Sequence, residues 1–262
     1  MMVTTMVSKK KQGTGTRIRK NTGKLFINLL TFLISLIIIL PLIVLFLNSF
    51  KTKGESNTMS LSFPAIWQPE NYRVVIEQGK LISSFFNSLL YATCSDIIIV
   101  TFVAAAAYVI SRNCHGINKL LYGFIISGIA IPVNNVALMK VLQILQLVNT
   151  RIGIILVYAA INIPLSLFLA YGFINTIPRD IDEAAIIDGC SPRQLFFKVI
   201  LPLLTPINST LFVLNFMAVW NDFTMPLYYL NNSTKWPMTL AVYNFFGTFE
   251  NSWNFQKCQR NY

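Results

Sequence analysis

Acidic side chains are the residues in this sequence with the clearest capacity for chemistry, because they are scarce and unevenly placed. The 262-residue chain has ten Asp and Glu residues in total. Four of them lie close together, namely Asp180, Asp182, Glu183 and Asp188. Paired carboxylates can act as general acid and base, but that chemistry needs a group within hydrogen-bond reach of the reacting atom. No nucleophile and base arrangement accompanies them, so we predict that the chain is not an enzyme.

Metal and nucleotide sites have equally little support in the sequence. The cysteines are Cys94, Cys114, Cys190 and Cys258. They form no C-x-x-C pair and no regular spacing, which argues against a zinc site or a disulfide framework. The single histidine, His115, lies in a short loop beside Arg112 and is interpreted as solvated. The chain also has no G-x-x-x-x-G-K-[ST] loop to cradle ATP phosphates, so we predict no metal and no cofactor.

The composition indicates an integral membrane protein. Hydrophobic residues make up 54% of the chain and charged residues only 12%, whereas soluble domains carry about 25% charged residues. The formal net charge is +11, but we predict no nucleic-acid binding, because the basic excess is concentrated in residues 1–24. A basic segment before the first apolar run predicts a cytoplasmic tail, since Lys and Arg favour the cytoplasmic side of membrane proteins.

Five membrane spans are predicted, because about 20 apolar residues cross the hydrocarbon core as a helix. Their ranges are about 25–47, 84–110, 120–139, 152–174 and 206–230. The first is longer than the apolar region of a signal peptide and lacks a small-residue cleavage site, so it is expected to be retained. The motif Ile131–Asn135 interrupts the third span. The predicted fold is all-α, with a polar loop over 175–205.

The loop between the last two spans carries the signals of two short helices joined by a turn. Asp180 followed by Glu183 resembles a capping box with Asp180 at the N-cap. Gly189 is the residue type that ends helices in a left-handed conformation. Ser191 and Pro192 fit the N-cap and the first position of a second helix. These residues alone leave two interpretations open, a docking surface for another protein or a well-capped solvated loop.

The spacing in this loop resembles the cytoplasmic motif of binding-protein-dependent ABC importer permeases. That motif reads E-A-A, three residues, Gly, nine residues, Ile, one residue, Leu-Pro. The matching residues are Glu183-Ala184-Ala185, Gly189, Val199 and Leu201-Pro202, with Val in place of Ile. Other segments are similar to the carbohydrate branch of this family, that of the maltose-type second permease subunit. They are PENYR (69–73), NSLLYA (87–92), AAYVISR (106–112), Ile131-Pro132 and WNDF (220–223).

The resemblance implies a type I ABC importer transmembrane domain in a permease subunit for sugars or oligosaccharides. In this family the loop forms a coupling helix that sits in a cleft of a cytoplasmic ATPase subunit. The residues then expected to couple to the ATPase are Glu183, Ala184, Ala185, Asp188, Gly189, Leu201 and Pro202. The implied partners are a second homologous permease subunit, a cytoplasmic ATPase dimer, an extracellular sugar-binding protein and the lipid of a bacterial cell membrane. No substrate-binding residue is implied.

Two carboxylates, Asp96 and Asp222, lie within predicted spans, where ionisable groups are costly and face protein or a water-filled cavity. Each could line a transport pathway or could be an internal hydrogen-bonded group, and the second interpretation is favoured for both. The alternative function is a secondary transporter or channel that works without an ATPase. That alternative would need an ion relay or inverted repeats, and the sequence shows no repeat.

The sequence after Leu230 departs from the family pattern. Members of this branch have a sixth span, whereas residues 231–262 contain no apolar run of spanning length. We expect this segment to be atypical through truncation or a frameshift near Phe255. A chain without the sixth span is expected to be a non-functional permease or one that assembles poorly.

Overall fold

The computed structural model describes residues 14–113 and 115–245, and every regular element in these two ranges is helical. The α-helices are α1 (Thr14–Ser49), α2 (Lys53–Ser56), α3 (Glu70–Gln78), α4 (Leu81–Arg112), α5 (Gly116–Ala130), α6 (Asn135–Ile144), α7 (Arg151–Ile174), α8 (Asp180–Ile187), α9 (Pro192–Gln194), α10 (Leu201–Leu203), α11 (Thr205–Asn221), α12 (Thr224–Tyr229) and α13 (Met238–Ala241). A π-helical segment occupies Leu195–Ile200, and single 3₁₀ turns occupy Ser233–Lys235 and Val242–Phe245. The chain forms two compact units that divide between Arg73 and Val74.

Helix α1 dominates the first unit, and its polar, basic start is followed by a long apolar part. Its part Ile27–Ser49 is long and apolar enough to cross a membrane, and none of its most apolar window is buried. A helix that is apolar all round is typical of a span that meets lipid or other spans. Pro41 lies inside it, as membrane spans tolerate. The helix begins at Thr14, inside the segment 1–24 that the sequence predicts as a tail.

A tight polar and aromatic loop follows α1 in the same unit. Phe50 packs its ring against Trp67 and Tyr72, at centroid distances of 5.4 and 5.1 Å. Lys51 is buried, and its Nζ donates to the carbonyl of Ser60 at 2.6 Å. These contacts satisfy a cation without a carboxylate, because a buried ammonium needs acceptors in place of water.

Helix α4 is the centre of the second unit. Its 32 residues bury a face of small and polar side chains that recurs every three or four positions. That face packs against α7 and α11. Small residues such as Ala104 and Ala107, both almost fully buried, let the helix backbones approach closely in a membrane protein.

The predicted third span is two helices in the structure. Helix α5 ends at Ala130, and α6 begins at Asn135 after a short extended link. The Asn134 side chain accepts hydrogen bonds from the N–H groups of Val136 and Ala137, both at 3.1 Å. This N-cap satisfies the free donors at the start of α6, so the interruption expected at Ile131–Asn135 is an ordered break.

The prediction of one unbroken helix over 206–230 is wrong. Helix α11 ends at Asn221, and Asp222 is extended, with ψ 134°. The Asp222 carboxylate accepts from the N–H groups of Thr224 at 3.1 Å and Met225 at 3.0 Å, which starts α12. Asp competes with the helical backbone for such hydrogen bonds and therefore favours caps over helix interiors.

The described ranges contain three helices long and apolar enough to cross a membrane, Ile27–Ser49, Leu81–Arg112 and Arg151–Ile174. The segments Pro192–Leu203 and Thr205–Asn221 pass the same test only as a pair, bent by 68°. The count by length and composition is thus three or four, against five predicted. Residues 1–13 of the predicted tail lie outside the described residues. So does the position near Phe255 where we expect a truncation or frameshift.

Asp96 is fully buried in a polar cluster between three helices. Asn215 of α11 donates from Nδ2 to Asp96 Oδ1 of α4 at 3.5 Å and to Ser166 Oγ of α7 at 3.1 Å. A hydrogen bond inside a membrane bundle replaces contacts that the surrounding apolar groups cannot give. The arrangement agrees with the favoured interpretation of Asp96 as an internal group.

Asn215→Ala is expected to destabilise the protein by about 1–3 kcal/mol, because it leaves the buried Asp96 carboxyl without this donor. The matched control is Asn221→Ala, since Asn221 is exposed and its amide bonds to the Met217 carbonyl of its own helix. Thermal unfolding in detergent measures both. Equal unfolding temperatures for the two variants would contradict the role given to Asn215.

Candidate functional site: the capped segment between α7 and α11

The segment 178–202 begins with α8, whose first turn is acidic. Asp180, Asp182 and Glu183 all lie in that turn, where negative charge interacts favourably with the helix dipole. The predicted capping box at Asp180 is wrong, because the N-cap residue is Arg179 and makes no side-chain cap hydrogen bond. Arg179 is already in the right-handed helical region, at φ −69° and ψ −22°, so Asp180 follows as the first helical residue.

The end of α8 is fixed by a Schellman motif around Gly189. Gly189 has φ +81°, a left-handed conformation that glycine adopts without steric cost. Its N–H donates to the Ile186 carbonyl, and the Cys190 N–H donates to the Ala185 carbonyl, both at 3.0 Å. These two bonds satisfy carbonyl groups at the helix end. The prediction that Gly189 ends this helix in a left-handed conformation is confirmed.

Ser191 is the N-cap of the next helix, as the sequence predicts, and with Gln194 it forms a capping box. The Ser191 hydroxyl accepts from the Gln194 N–H at 3.4 Å, and the Ser191 N–H donates to Gln194 Oε1 at 2.9 Å. Pro192 occupies the first turn, where its missing N–H leaves no hydrogen bond unmade.

The residues after this cap do not continue as an α-helix. Leu195–Ile200 is π-helical, and the Leu201 N–H donates to the Phe196 carbonyl, five residues back. Pro202 has no N–H with which to continue an α-helical pattern. π-Helical turns are rare and occur often at functional sites.

Helix α8 presents one face to its own protein and one face outward. Ala185 is buried in an apolar cluster with Leu195 and Ile200. On the outer face Ile186 is 60% and Ile187 is 85% exposed. Large apolar side chains exposed beside acidic ones are typical of an interaction surface.

The seven predicted coupling residues divide between these two environments. Glu183, Ala184, Asp188, Gly189 and Pro202 are exposed. Ala185 belongs to the buried apolar cluster, and Leu201 packs against that cluster. The structure therefore places Ala185 and Leu201 where they support the segment from inside.

Polar contacts join the segment to the end of α4. Arg112 Nε lies 2.5 Å from Asp182 Oδ2, and Arg112 Nη2 donates to the Ile177 carbonyl at 3.1 Å. The neighbouring Ser111 donates from its hydroxyl to Asn175 Oδ1 at 2.6 Å. The ends of α4 and α7 therefore lie on the same side of the helical bundle.

Sequence reasoning did not select Arg112 and Asp182 as a pair. A usable signal existed, because Asp182 precedes Ala185 by three residues and so lies on the same face of α8. Arg112 is the last residue of a long apolar helix. Nothing in the sequence says that these two positions, 70 residues apart, meet.

Asp222, the other carboxylate in a predicted span, is bonded inside the protein. Tyr158 of α7 donates from its hydroxyl to Asp222 Oδ2 at 3.0 Å. Thr239 donates from its hydroxyl to the Asp222 carbonyl at 2.8 Å. Together with the N-cap of α12, these contacts connect Asp222 to α7, to α12 and to the segment around Thr239. They agree with the favoured interpretation of Asp222 as an internal hydrogen-bonded group.

Comparison with known families gives this geometry its context. Residues 116–251, which include the whole capped segment, match the family described as binding-protein-dependent transport system inner membrane component. The chain belongs to this family. It is therefore a multi-pass membrane permease component of an ABC importer, as the motif around Glu183 and Gly189 indicates.

Several curated permeases are similar to this family member over most of their length. The probable starch degradation products transport system permease protein of Thermoanaerobacterium thermosulfurigenes is 34% identical over 86% of this chain and 84% of its own. The diacetylchitobiose uptake system permease protein of Streptomyces coelicolor is 34% identical over 81% and 71%. The melibiose/raffinose/stachyose import permease protein of Bacillus subtilis is 31% identical over 84% and 81%.

A solved structure shows the same fold. It belongs to a bacterial ABC transporter involved in the import of the acidic polysaccharide alginate, with a TM-score of 0.73 and 20% identity. The match covers 92% of this chain and 85% of that chain. The fold class predicted from the sequence, an ABC importer transmembrane domain, is confirmed.

Gly189→Val is expected to loosen the turn after α8. A Cβ at this position meets nothing within 4 Å, so the cost is in the backbone alone, about 1–2 kcal/mol for a left-handed residue with a side chain. Trypsin cleavage after the exposed Arg193 in detergent should then be faster than in the unmodified protein. Gly189→Asn is the matched control, because Asn visits this conformation routinely. Equal cleavage rates for all three proteins would contradict the role of Gly189.

Proposed function

We propose that this permease component carries sugars or oligosaccharides across the membrane and is driven by a separate cytoplasmic ATPase that docks on the segment 178–202. The observation that carries the proposal is the outer face of α8. It combines Glu183 and Asp188 with two exposed isoleucines, on a helix held rigid at its end by Gly189. The remaining partners in the proposal are a second homologous permease subunit and an extracellular sugar-binding protein.

Burial explains why this face suits a protein partner. Ile187 is among the most exposed isoleucines of the described chain, at 85%. Burying a side chain of this size against a partner contributes about 1.5–3 kcal/mol. The small side chain of Ala184, which lies beside Ile187, leaves space for the wall of a cleft in the partner. The carboxylates at the rim favour a basic partner surface and fix orientation more than affinity.

In the proposed membrane orientation, the N-terminus and the segment 178–202 lie in the cytoplasm. The basic residues that precede the apolar part of α1, Ile27–Ser49, favour the cytoplasmic side. Two consecutive spans, α1 and α4, then return the chain to that side at Arg112. The Ser111–Asn175 hydrogen bond keeps the end of α7 beside the end of α4, so α8 follows on the cytoplasmic side as well.

The substrate class is supported by the relatives. The names of three of them refer to starch degradation products, to diacetylchitobiose and to melibiose, raffinose and stachyose. All of these are sugars or oligosaccharides. An importer of small carbohydrates is thus the most economical proposal for this chain.

Two substitutions test the docking surface in the complete complex. Glu183→Lys and Ile187→Asp are each expected to weaken retention of the ATPase by about tenfold or more, as hot-spot residues do. The matched control is Glu70→Lys on α3, a carboxylate that is 70% exposed. Affinity purification through the permease, with quantification of the bound ATPase, gives the result. Full retention of the ATPase by both α8 variants would contradict the docking assignment.

The same complexes, reconstituted in proteoliposomes with the extracellular binding protein, test transport. The unmodified complex is expected to take up at least one of maltotriose, raffinose and N,N′-diacetylchitobiose when ATP is supplied on the side of the membrane where the ATPase lies. The two α8 variants are expected to take up much less of the same sugar. Uptake that persists without ATP and follows an ion gradient would favour the secondary-transporter alternative.

A further inference from the structure

We propose that the buried pair Arg112–Asp182 is a positioning device that makes α8 move together with α4. The inference deepens the proposed function, on which it rests, by naming the contact through which a displacement of α8 reaches the membrane helices. Neither residue belongs to the exposed docking surface. Their role would be to hold that surface in a fixed relation to one particular helix.

The burial of the pair separates it from the other charges of the segment. Side-chain exposure is 14% for Arg112 and 12% for Asp182, whereas Asp180, Glu183 and Asp188 are exposed. Asp182 Oδ1 has no hydrogen-bond partner among the described residues. Removing Arg112 would therefore leave a buried carboxylate without its main counter-charge, which is far costlier than breaking an exposed pair.

The covalent path from α8 to its neighbouring spans is indirect. Toward α7 the chain passes through the short link at Ile177-Pro178. Toward α11 it passes through the left-handed turn at Gly189, a π-helical segment and a bend of 68°. A displacement of α8 along this path has to pass through several changes of chain direction before it reaches a membrane helix.

The non-covalent path to α4 is short and directional. Arg112 Nε forms an ion-pair contact with Asp182 Oδ2 that lacks hydrogen-bond geometry, and Arg112 Nη2 donates a hydrogen bond to the Ile177 carbonyl. Arg179 Nη2 donates to the Ser111 carbonyl at 3.2 Å. The last two residues of α4 thus hold α8 and the link in front of it. Charge-assisted bonds of this kind are the strongest and most geometrically specific hydrogen bonds in proteins.

Helix α4 also holds the opposite end of the unit. Asn87 donates to the Thr234 carbonyl at 2.9 Å, and Tyr91 donates from its hydroxyl to the Lys235 carbonyl at 2.8 Å. From Asn87 to Arg112 a continuous helix rises about 37 Å. A displacement received at Arg112 therefore reaches the segment around Thr234 through one rigid element.

The test compares single substitutions, a reversed pair and a control in the complete complex. The variants are Asp182→Asn, Arg112→Gln, the double variant R112D/D182R and Glu70→Gln, the last removing the charge of an exposed carboxylate outside the segment 178–202. Each complex is assayed for permease in the membrane, for retained ATPase, for ATP hydrolysis and for uptake of the panel sugar that the unmodified complex transports.

The two single variants are expected to retain the ATPase and to transport about tenfold less sugar per ATP hydrolysed, a typical size for a coupling free energy between sites. The reversed pair should recover a large part of that ratio, and Glu70→Gln should leave it unchanged. Two outcomes would overturn the inference. One is an unchanged ratio in both single variants, and the other is loss of the permease from the membrane in all variants of the pair, which would make it a stability device only. Failure of the unmodified complex to retain any ATPase would instead reject the proposed function itself.

Discussion

Close packing of α4 against α7 and α11 is the constraint on which the rest of the second unit depends. Lipid offers no hydrogen bonds, so every polar group at membrane depth has to be satisfied inside the protein. Small buried residues such as Ala104 and Ala107 bring the helices near enough for this. The same closeness places Asn215 between Asp96 and Ser166, and it sets the two ends of α4 against the segments that they bond.

Breaks in the helices follow the same rule. Several interruptions in the second unit occur where a side chain or a glycine turn satisfies backbone groups that the helix leaves unpaired. Asn134 and Asp222 cap the helices that follow them, and Gly189 closes α8 through a Schellman motif. The capped segment is therefore an ordered unit with defined helix ends, which is the form that a docking element for an ATPase would need.

Local signals in the sequence predicted local structure well. The left-handed turn at Gly189 and the N-cap at Ser191 were predicted correctly because both depend on residues within a few positions of each other. Asp180 was assigned the wrong helical position, since the chain enters α8 already helical at Arg179. The span over 206–230 was predicted as continuous because hydropathy does not register that Asp222 prefers a cap to a helix interior.

The contacts that connect α8 and Asp222 to the membrane helices could not be predicted from the sequence. Arg112 and Asp182 meet only because α4 and α7 pack side by side, and no local pattern carries that information. Similarly, Tyr158 and Asp222 lie 64 residues apart in the chain. Burial, which separates the inward Asp182 from the outward Glu183, is likewise a property of the packed unit.

The central claim is that the outer face of α8 is the contact surface for the ATPase. Photo-crosslinking in the complete complex tests it most directly, with benzoylphenylalanine in place of Ile187 and, as a control, in place of Ile117, which is 68% exposed on α5. The account predicts that the probe at position 187 captures the ATPase subunit and that the probe at position 117 does not. Capture of only lipid or only the second permease from position 187 would contradict it.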